Sequence, residues 1–524
     1  MIEHVGTWRD RYYDSVVLML ASKEVTACSG VAEAAIAAAT PLNTQLLARQ
    51  GFAIPSDVGP NDIVIAIRAL DHQSLQQALM VAEHAVRGDG GDGTGIEVGA
   101  TASVQSVRAA RKVASDLNVV VLSVPRQWLS YEIASCIDEG TNVFCFSDGL
   151  SVEEELYFKT QAAANGLMLM GPDCGTALLD GYGFGFSNVV RRGSTGIVGA
   201  SGTGIQEVTC SLDRAGLGVS NAIGVGGRDL SAEVGGIMTV EAIRRLANGP
   251  LTRRVLVLSK PPATAVATKI ANALTLSEKP AAMCFLGWSG PSELDGMPVV
   301  GTLEAATQWA IDTECGSLPP PDLHHKMSSG RPKGVRPEVN AGLTRQREQG
   351  ALRGLFSGGT LAYEAMSTLV PALGQVQSNL VLPKTWMATS NEAAAPQQHS
   401  VIDFGADEFT EGRAHPMIDP SLRLDRFDEE ARKPDVTVVL MDLVLGLGSP
   451  LDAPQQMAEH VAAAMNVRGD ALAVVVSICG TDHDPQDASV AAELLARAGA
   501  RTAWTASAAA RMAVAAMRGG RSGD

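Results

Sequence analysis

Short apolar runs alternate with longer segments of mixed polarity along most of the chain. The apolar runs predict strands at 15–21, 62–67, 118–124, 142–146, 167–170, 196–200, 219–224, 255–258, 352–356, 436–441 and 473–478. The segments between them predict helices near 31–39, 73–86, 104–117, 131–139, 152–165, 240–247 and 457–465, and from about 488. Strands that alternate with helices in this way are typical of βαβ units on a parallel sheet.

The predicted fold class is therefore α/β, with several Rossmann-like or flavodoxin-like parallel-sheet domains. We expect an N-terminal α/β region at 1–100, α/β domains at 101–192 and 193–315, and a C-terminal α/β domain at 351–517. Residues 316–350 are rich in proline, glycine and charge and poor in apolar side chains, which predicts a linker.

Composition narrows the classes of function. The chain is 46% hydrophobic with only 4% aromatic residues, which suits α/β layers, and its net charge of −16 argues against binding to nucleic acid or anionic membranes. No apolar run is long enough to span a membrane, and the N-terminus lacks a signal-peptide layout. The eight cysteines form no CxxC pair, so we expect reduced thiols, no metal site and a cytoplasmic location.

The most informative motif is the turn of Ser201, Gly202, Thr203 and Gly204 in TGIVGASGTGIQE. A strand precedes this turn and a helix follows it. Helix N-termini present free N–H groups and partial positive charge, glycines permit close approach of a phosphate, and hydroxyls add donors. The motif predicts an anion site, although an ordinary βα turn is the simpler alternative.

Two further glycine-rich turns also follow a predicted strand. Ser357, Gly358, Gly359 and Thr360 follow a strand and open a helix that carries a glutamate early, as the first turn does. The third turn, with Gly446 and Gly448, follows the strand VVLMDLV, where a parallel sheet presents its ligand-binding edge. The repetition favours phosphate binding at these turns.

The segment GRAHPMIDP, residues 412–420, contains several side chains that could take part in catalysis. Arg413 could bind a carboxylate or phosphate, His415 could transfer a proton, and Asp419 could orient His415. The alternative is a rigid loop whose polar groups satisfy one another.

The remaining candidate binding residues follow two other predicted strands. Gly227, Arg228 and Asp229 could contact substrate, or Arg228 and Asp229 could form a structural ion pair. Lys260 follows the strand VLVL and could contact an anion, although the prolines after it are equally consistent with a plain turn.

A family resemblance rests on the order of these motifs. GPDCG, GIVGASGTGIQE and GVGGRDL resemble the α subunit of succinyl-CoA synthetase, and SVIDFGADEFTEGRAHPMIDPSLR with GLGSP resembles the C-terminal ligase domain of its β subunit. Both halves in one chain, together with EVGGI and SKPPA, resemble the FdrA family over nearly the whole length. The resemblance implies a CoA-binding-like domain at 101–192 and ligase-like domains at 193–315 and 351–517.

Departures from the synthetase pattern affect the expected chemistry. The chain has no histidine between His84 and His324, so the phosphohistidine of the synthetases has no counterpart. A GxTGxxG turn for CoA and an ATP-grasp domain are also missing, so we expect neither CoA nor ATP as a cofactor. The anion turns would then hold phosphate as a substrate.

The FdrA resemblance implies one subunit of an oxamate carbamoyltransferase of allantoin breakdown, which converts oxalurate and phosphate into oxamate and carbamoyl phosphate. It also implies partner subunits, and a homodimer stays open as an alternative. Two alternatives remain open, an acyl-CoA synthetase-like enzyme and a non-catalytic scaffold.

Overall fold

The computed structural model divides the chain into two compact units. Met1–Ser103 with Phe404–Leu422 form the first unit, and Val104–Asp403 with Arg423–Asp524 form the second. The structure describes residues 1–9, 11, 13, 15–55, 57–59, 62–87, 104, 106–288, 290–315, 350–380 and 399–518. The linker predicted at 316–350 lies outside the described residues except for its last residue.

The first unit is a three-stranded sheet covered by helices. Its elements are β1 (Ile2–Trp8), α1 (Ser15–Thr26), β2 (Val31–Ala38), α2 (Pro41–Arg49), β3 (Ile63–Ala69) and α3 (His72–Arg87), with a one-turn helix at Asp407–Thr410. The strand order is β1-β3-β2, and β3 is antiparallel to both neighbours. Alternate residues of β3 enter two cores, Ile65 on the side of α1 and α3 and Val64 on the other side. The parallel sheet expected for this region is therefore wrong.

Two secondary-structure predictions in the first unit are also wrong. The apolar run at 15–21 is helical, since its buried residues Leu18, Ala21 and Val25 recur at the spacing of one helix face. The alanine-rich segment near 31–39 is the strand β2, paired with β3 along its length. Pairing with a neighbouring strand outweighs the helix propensity of alanine at that position.

The second unit contains the remaining elements. Its first part comprises α4 (Val107–Val113), β4 (Val119–Leu122), α5 (Arg126–Asp138), β5 (Asn142–Cys145), α6 (Val152–Ala164), β6 (Leu169–Met170), β7 (Thr176–Leu179) and β8 (Tyr182–Gly185). The middle part comprises β9 (Arg192–Gly199), α7 (Gly202–Arg214), β10 (Val219–Gly224), α8 (Ile237–Asn248), β11 (Arg254–Ser259), α9 (Thr264–Leu276), β12 (Ala281–Phe285), β13 (Glu293–Leu294), β14 (Met297–Val300) and α10 (Leu303–Cys315). The last part comprises β15 (Ala351–Phe356), α11 (Gly359–Leu373), β16 (Val376–Ser378), β17 (His399–Asp403), α12 (Ser421–Arg432), β18 (Val436–Val444), α13 (Ala453–Arg468), β19 (Ala473–Cys479), α14 (Ala488–Arg497), β20 (Arg501–Ala503) and α15 (Ala506–Met517).

Three sheets organise this unit. The sheet β4-β5-β6 is parallel, and the sheet β16-β17-β15-β18-β19-β20 is parallel throughout. The eight-stranded sheet runs β13-β14-β12-β11-β9-β10-β7-β8, with parallel strands from β14 to β10. The α/β fold class with several parallel sheets is thus confirmed. Among the described residues, no helix is both long and apolar enough to cross a membrane.

Candidate functional site

The first two glycine-rich turns meet at one point in the second unit. One turn joins β9 to α7 and the other joins β15 to α11, so each places a helix N-terminus at the carboxyl end of a buried strand. The Ser201 hydroxyl donates to Oγ1 of Thr360 at 2.6 Å. A Cβ on Gly358 would lie 2.9 Å from the Thr203 methyl group, so the two turns are in close contact. The positive ends of two helices therefore converge.

The first turn retains open donors. The Ser201 side chain caps α7 by accepting from the Gly204 N–H at 3.0 Å, and its own proton goes to Thr360, so this hydroxyl joins the two helices. Within the described part of the chain, no protein acceptor binds the N–H groups of Gly202 or Thr203. These two N–H groups, with the Thr203 and Thr360 hydroxyls, are available to an anion.

The second turn is partly filled by a carboxylate from β18. Asp442 Oδ1 accepts from the N–H and the hydroxyl of Ser357 at 2.8 and 2.9 Å, and Oδ2 accepts from the Gly358 N–H at 2.8 Å. Arg423 donates to Asp442 at 2.6 Å, and burial lowers the pKa of this guanidinium. Ser357 and Gly358 therefore bind a protein carboxylate in place of the predicted phosphate. Gly359 and Thr360 remain as donors at this helix.

One cation and one further carboxylate border the converging helices. The exposed Lys260 follows β11, and its Nζ lies 5.8 Å from the ring centroid of Tyr363 on α11. The Ala200 N–H donates to Leu258 O at 3.0 Å, which ties the first turn to the end of β11. Asp403 ends β17, and its carboxylate lies beside the position that a Cβ on Gly359 would take. The structure thus places Lys260 beside α11, and its predicted contact with an anion stays a prediction.

The third turn is hydrogen-bonded to neighbouring segments of the chain. The Gly446 N–H donates to Gln486 Oε1 at 3.0 Å, and the Leu447 N–H donates to Ser187 O at 2.7 Å. The Gln486 amide donates in return to the carbonyls of Gly446 and Ser449. Gly448 contacts the Phe186 ring, and its missing Cβ leaves space for that ring. These contacts give Gly446 and Gly448 a structural role, and their predicted phosphate role stays a prediction.

The GGRDL segment belongs to a buried ion-pair network. Asp229 is fully buried and accepts from Lys159 and from the N–H groups of Met238 and Thr239 at the start of α8. Arg228 pairs with Glu155 at 2.9 Å, and Gly227 adjoins it in the same loop. The structural ion network explains these residues better than substrate contact, because the carboxylate of Asp229 is already occupied.

Two buried glutamates lie deeper along the converging helices. Burial, reinforced by the charge of Glu364, raises the pKa of Glu207 to about 8. Burial likewise raises the pKa of Glu364 to about 7. Glu364 accepts from the Leu303 N–H and the Ser507 hydroxyl, whereas Glu207 accepts from the Ala506 N–H and its Oε1 has no partner among the described residues. The Glu207 carboxyl therefore keeps its proton to a higher pH than an exposed glutamate does.

The GRAHPMIDP segment lies in the first unit. Arg413 and Asp419 approach to 4.0 Å, and His415 Nδ1 accepts from the Met417 N–H at 3.2 Å. The Asn43 amide donates to Gly412 O at 2.9 Å and so fastens the segment to the start of α2. Asp419 is placed beside Arg413 and accepts from the Ser421 N–H. A catalytic role for Arg413, His415 and Asp419 stays a prediction.

Sequence reasoning missed the side chains that close the second turn. Asp403 and Asp442 are the acidic residues that end or nearly end buried strands, a position that could have drawn attention to them. Glu207 and Glu364 were visible as the early helix glutamates, but their shared burial depends on tertiary packing.

Comparison with known families gives three matches. Residues 355–516 match the CoA-ligase family, residues 190–286 the CoA binding domain, and residues 1–98 the heavy metal-associated domain of AllF. The first turn lies within the CoA binding domain match and the second turn within the CoA-ligase match.

The described residues of the first unit do not group three possible ligands for a heavy-metal ion. Residues 1–98 contain one cysteine, Cys28, and three histidines, His4, His72 and His84, as possible ligands for a soft metal ion. The described part of the chain holds no group of three histidine, cysteine or acidic side chains that could hold a metal.

Similarity to individual proteins identifies the family. The chain is 36% identical over 496 residues to the uncharacterized protein YahF of Escherichia coli K12, covering 93% of each. It is 28% identical over 170 residues to succinate–CoA ligase subunit alpha 2 of Archaeoglobus fulgidus, covering 32% of this chain and 58% of the relative. An acetyl-coenzyme A synthetase from Ca. Korarchaeum cryptofilum, solved with phosphate and ADP, aligns over 78% of this chain and 85% of its own at 16% identity and a TM-score of 0.32. The chain belongs with YahF to the succinyl-CoA synthetase-like FdrA family.

Proposed function

We propose that this chain is the phosphate-binding subunit of a carbamoyltransferase that converts oxalurate and phosphate into oxamate and carbamoyl phosphate. The observation that carries the proposal is the convergence of α7 and α11, joined by Ser201 and Thr360, with open N–H donors at Gly202 and Thr203. The AllF match of the first unit supports the same assignment.

The chemistry suits a site that works by positioning and electrostatics. A phosphate oxygen attacks the ureido carbonyl, the bond from that carbon to the oxamate nitrogen breaks, and the phosphate proton goes to the departing nitrogen. The N-terminus of α7, with the remaining donors of Gly359 and Thr360 and with Lys260, would hold the phosphate dianion and stabilise charge on the carbonyl oxygen. The reaction needs no phosphohistidine, in keeping with the lack of histidine between His84 and His324.

The test is phosphorolysis of oxalurate by the full chain, alone and with candidate partner subunits, with carbamoyl phosphate as the product measured. Lys260→Gln should raise the KM for phosphate about tenfold or more, because it removes a cation from the anion site. Lys269→Gln, on an exposed part of α9, is the matched control and should leave KM unchanged. Absence of carbamoyl phosphate with every partner combination would refute the proposal.

A second candidate is an acyl-CoA synthetase-like activity, which the CoA-ligase and CoA binding domain matches favour. Calorimetric titration with CoA and with ATP discriminates the two, since the carbamoyltransferase needs neither. A non-catalytic scaffold would keep the activity of the assembled complex after Ser201→Ala or Gly202→Val, whereas the lead proposal requires its loss.

A further inference from the structure

A cavity of about 470 Å³ lies within the second unit, and no residue of the three glycine-rich turns lines it. It lies at the amino ends of β4, β5 and β6, with β10, α8 and the β7–β8 hairpin completing its walls. Open parallel sheets bind their ligands at the carboxyl ends of the strands, so this cavity is at the opposite edge of its sheet. Its volume falls in the range of about 300–1,000 Å³ that is typical of small-molecule sites.

The apolar part of the lining consists of thioether and aromatic side chains. Met168 and Met170 are buried on one side. Tyr182 and Phe184 alternate along β8 and therefore lie on the same face of that strand. The Phe184 ring packs on Phe144 at 5.7 Å between centroids, whereas Tyr182 is 75% exposed, as expected at the opening of a cavity. Thioethers and aromatic rings of this kind favour a flat aromatic ligand.

Most of the polar lining is already satisfied by the protein. Asn142 Oδ1 accepts from the Met168 N–H at 2.9 Å and from Arg245 at 3.2 Å. The Asn142 amide nitrogen donates to Asn118 O at 2.8 Å. Arg245 also pairs with Glu241 at 2.8 Å, so its charge is offset. These groups shape the cavity and leave little cationic character for an anion.

Asn221 on β10 is the polar side chain with capacity left. Its Oδ1 accepts from the Asp180 N–H at 2.6 Å, which sets the orientation of the amide, and its Nδ2 has no acceptor among the described residues. The carbonyl oxygen has a second lone pair, so the half-buried amide offers one donor and one acceptor side by side. An asparagine amide used in this way matches N7 and the N6 amino group of adenine.

We propose that this cavity binds an adenine base, with N7 and the N6 amino group paired to Asn221 and the ring against the methionines and the β8 aromatics. The inference goes beyond the proposed function and does not depend on the anion turns. Guanine and hypoxanthine carry a carbonyl where adenine has its amino group. They would direct an acceptor at the acceptor of Asn221 and lose a hydrogen bond.

Adenosine and inosine test this directly, because inosine has that carbonyl in place of the amino group. The full-length chain is titrated with each nucleoside by calorimetry, without phosphate. Wild type should bind adenosine about tenfold or more tightly than inosine, as expected for a bidentate contact to the base. A titration with AMP identifies the source of the base, since equal affinity indicates the nucleoside and tighter binding of AMP indicates the nucleotide.

Two variants separate recognition of the base edge from stacking. Asn221→Ala should reduce the preference for adenosine over inosine to about threefold or less. Tyr182→Ala should weaken both nucleosides by about fivefold or more and keep the preference, because stacking does not distinguish the bases. Tyr131→Ala, on α5 outside the cavity, is the matched control and should keep wild-type affinities, since its ring is 71% exposed, much like that of Tyr182.

Absence of adenosine binding at millimolar concentration, or equal affinity for the two nucleosides, overturns the inference. An unchanged preference in Asn221→Ala overturns it as well, and so does unchanged affinity in Tyr182→Ala. Titration of Asn221→Ala with CoA and ATP keeps this cavity apart from the acyl-CoA synthetase alternative, because a synthetase-type site elsewhere would still bind both in that variant.

Discussion

The buried pair Glu207 and Glu364 should make the stability of the second unit fall as the pH rises. Burial raises the pKa of Glu207 from 4.5 to about 8, so the folded protein retains a proton that the unfolded chain releases. Between these two pKa values the folded state binds more protons, and the slope of unfolding free energy with pH is negative. The stabilisation is full below pH about 4.5 and is lost as the pH passes through about 8.

The size of the effect follows from the shift. One pKa unit corresponds to about 1.4 kcal/mol, so ionising Glu207 costs roughly 5 kcal/mol in total and about 3 kcal/mol between pH 5.5 and 8.5. Glu207→Gln removes this titration. The buried amide adds a penalty of its own, but that penalty does not depend on pH, so the slope is the quantity that reports on Glu207.

Differential scanning calorimetry at pH 5.5 and 8.5, at constant ionic strength, measures the slope. At roughly 1–2 °C per kcal/mol for a unit of this size, the Tm of wild type should fall about 3–6 °C further than that of Glu207→Gln. Glu493→Gln, an exposed position on α14, is the control and should follow wild type. Parallel falls in Tm for wild type and Glu207→Gln would refute the assignment of the retained proton to Glu207.

Three further substitutions test the contacts around the two turns and in the first unit. Ser201→Ala removes the cap of α7 and its bond to α11, and should lower stability by about 1 kcal/mol or more in urea titration. Asp442→Ala leaves Arg423 buried without its partner and should cost about 3–5 kcal/mol, whereas loss below 1 kcal/mol would contradict the buried pair. Asn43→Ala removes the bond to Gly412 and should speed proteolytic cleavage within 404–422, measured by mass spectrometry, with cleavage elsewhere unchanged.

The sequence predicted the second unit far better than the first. Strands such as Val436–Val444 and Ala473–Cys479 are buried along their whole length and mostly apolar, because helices cover both sides of a parallel sheet, and such runs are easily recognised. In the first unit, residues 31–38 contain mostly alanine, which fits a helix or a strand equally well by composition. Only its pairing with β3 makes this segment a strand, and the residues of β3 lie about 30 positions further along the chain.

The two converging turns show why a local motif cannot assign a binding site by itself. Both have a strand, small residues, a helix and an early glutamate, so sequence reasoning gave them the same role. They differ because Asp442, 85 positions beyond Ser357, occupies the donors of the second turn. A carboxylate from a neighbouring strand thus satisfies one helix N-terminus, and the other retains N–H groups for a ligand. The N–H groups of Gly202 and Thr203 on α7, rather than those of Ser357 and Gly358, are therefore the donors that an anion would meet.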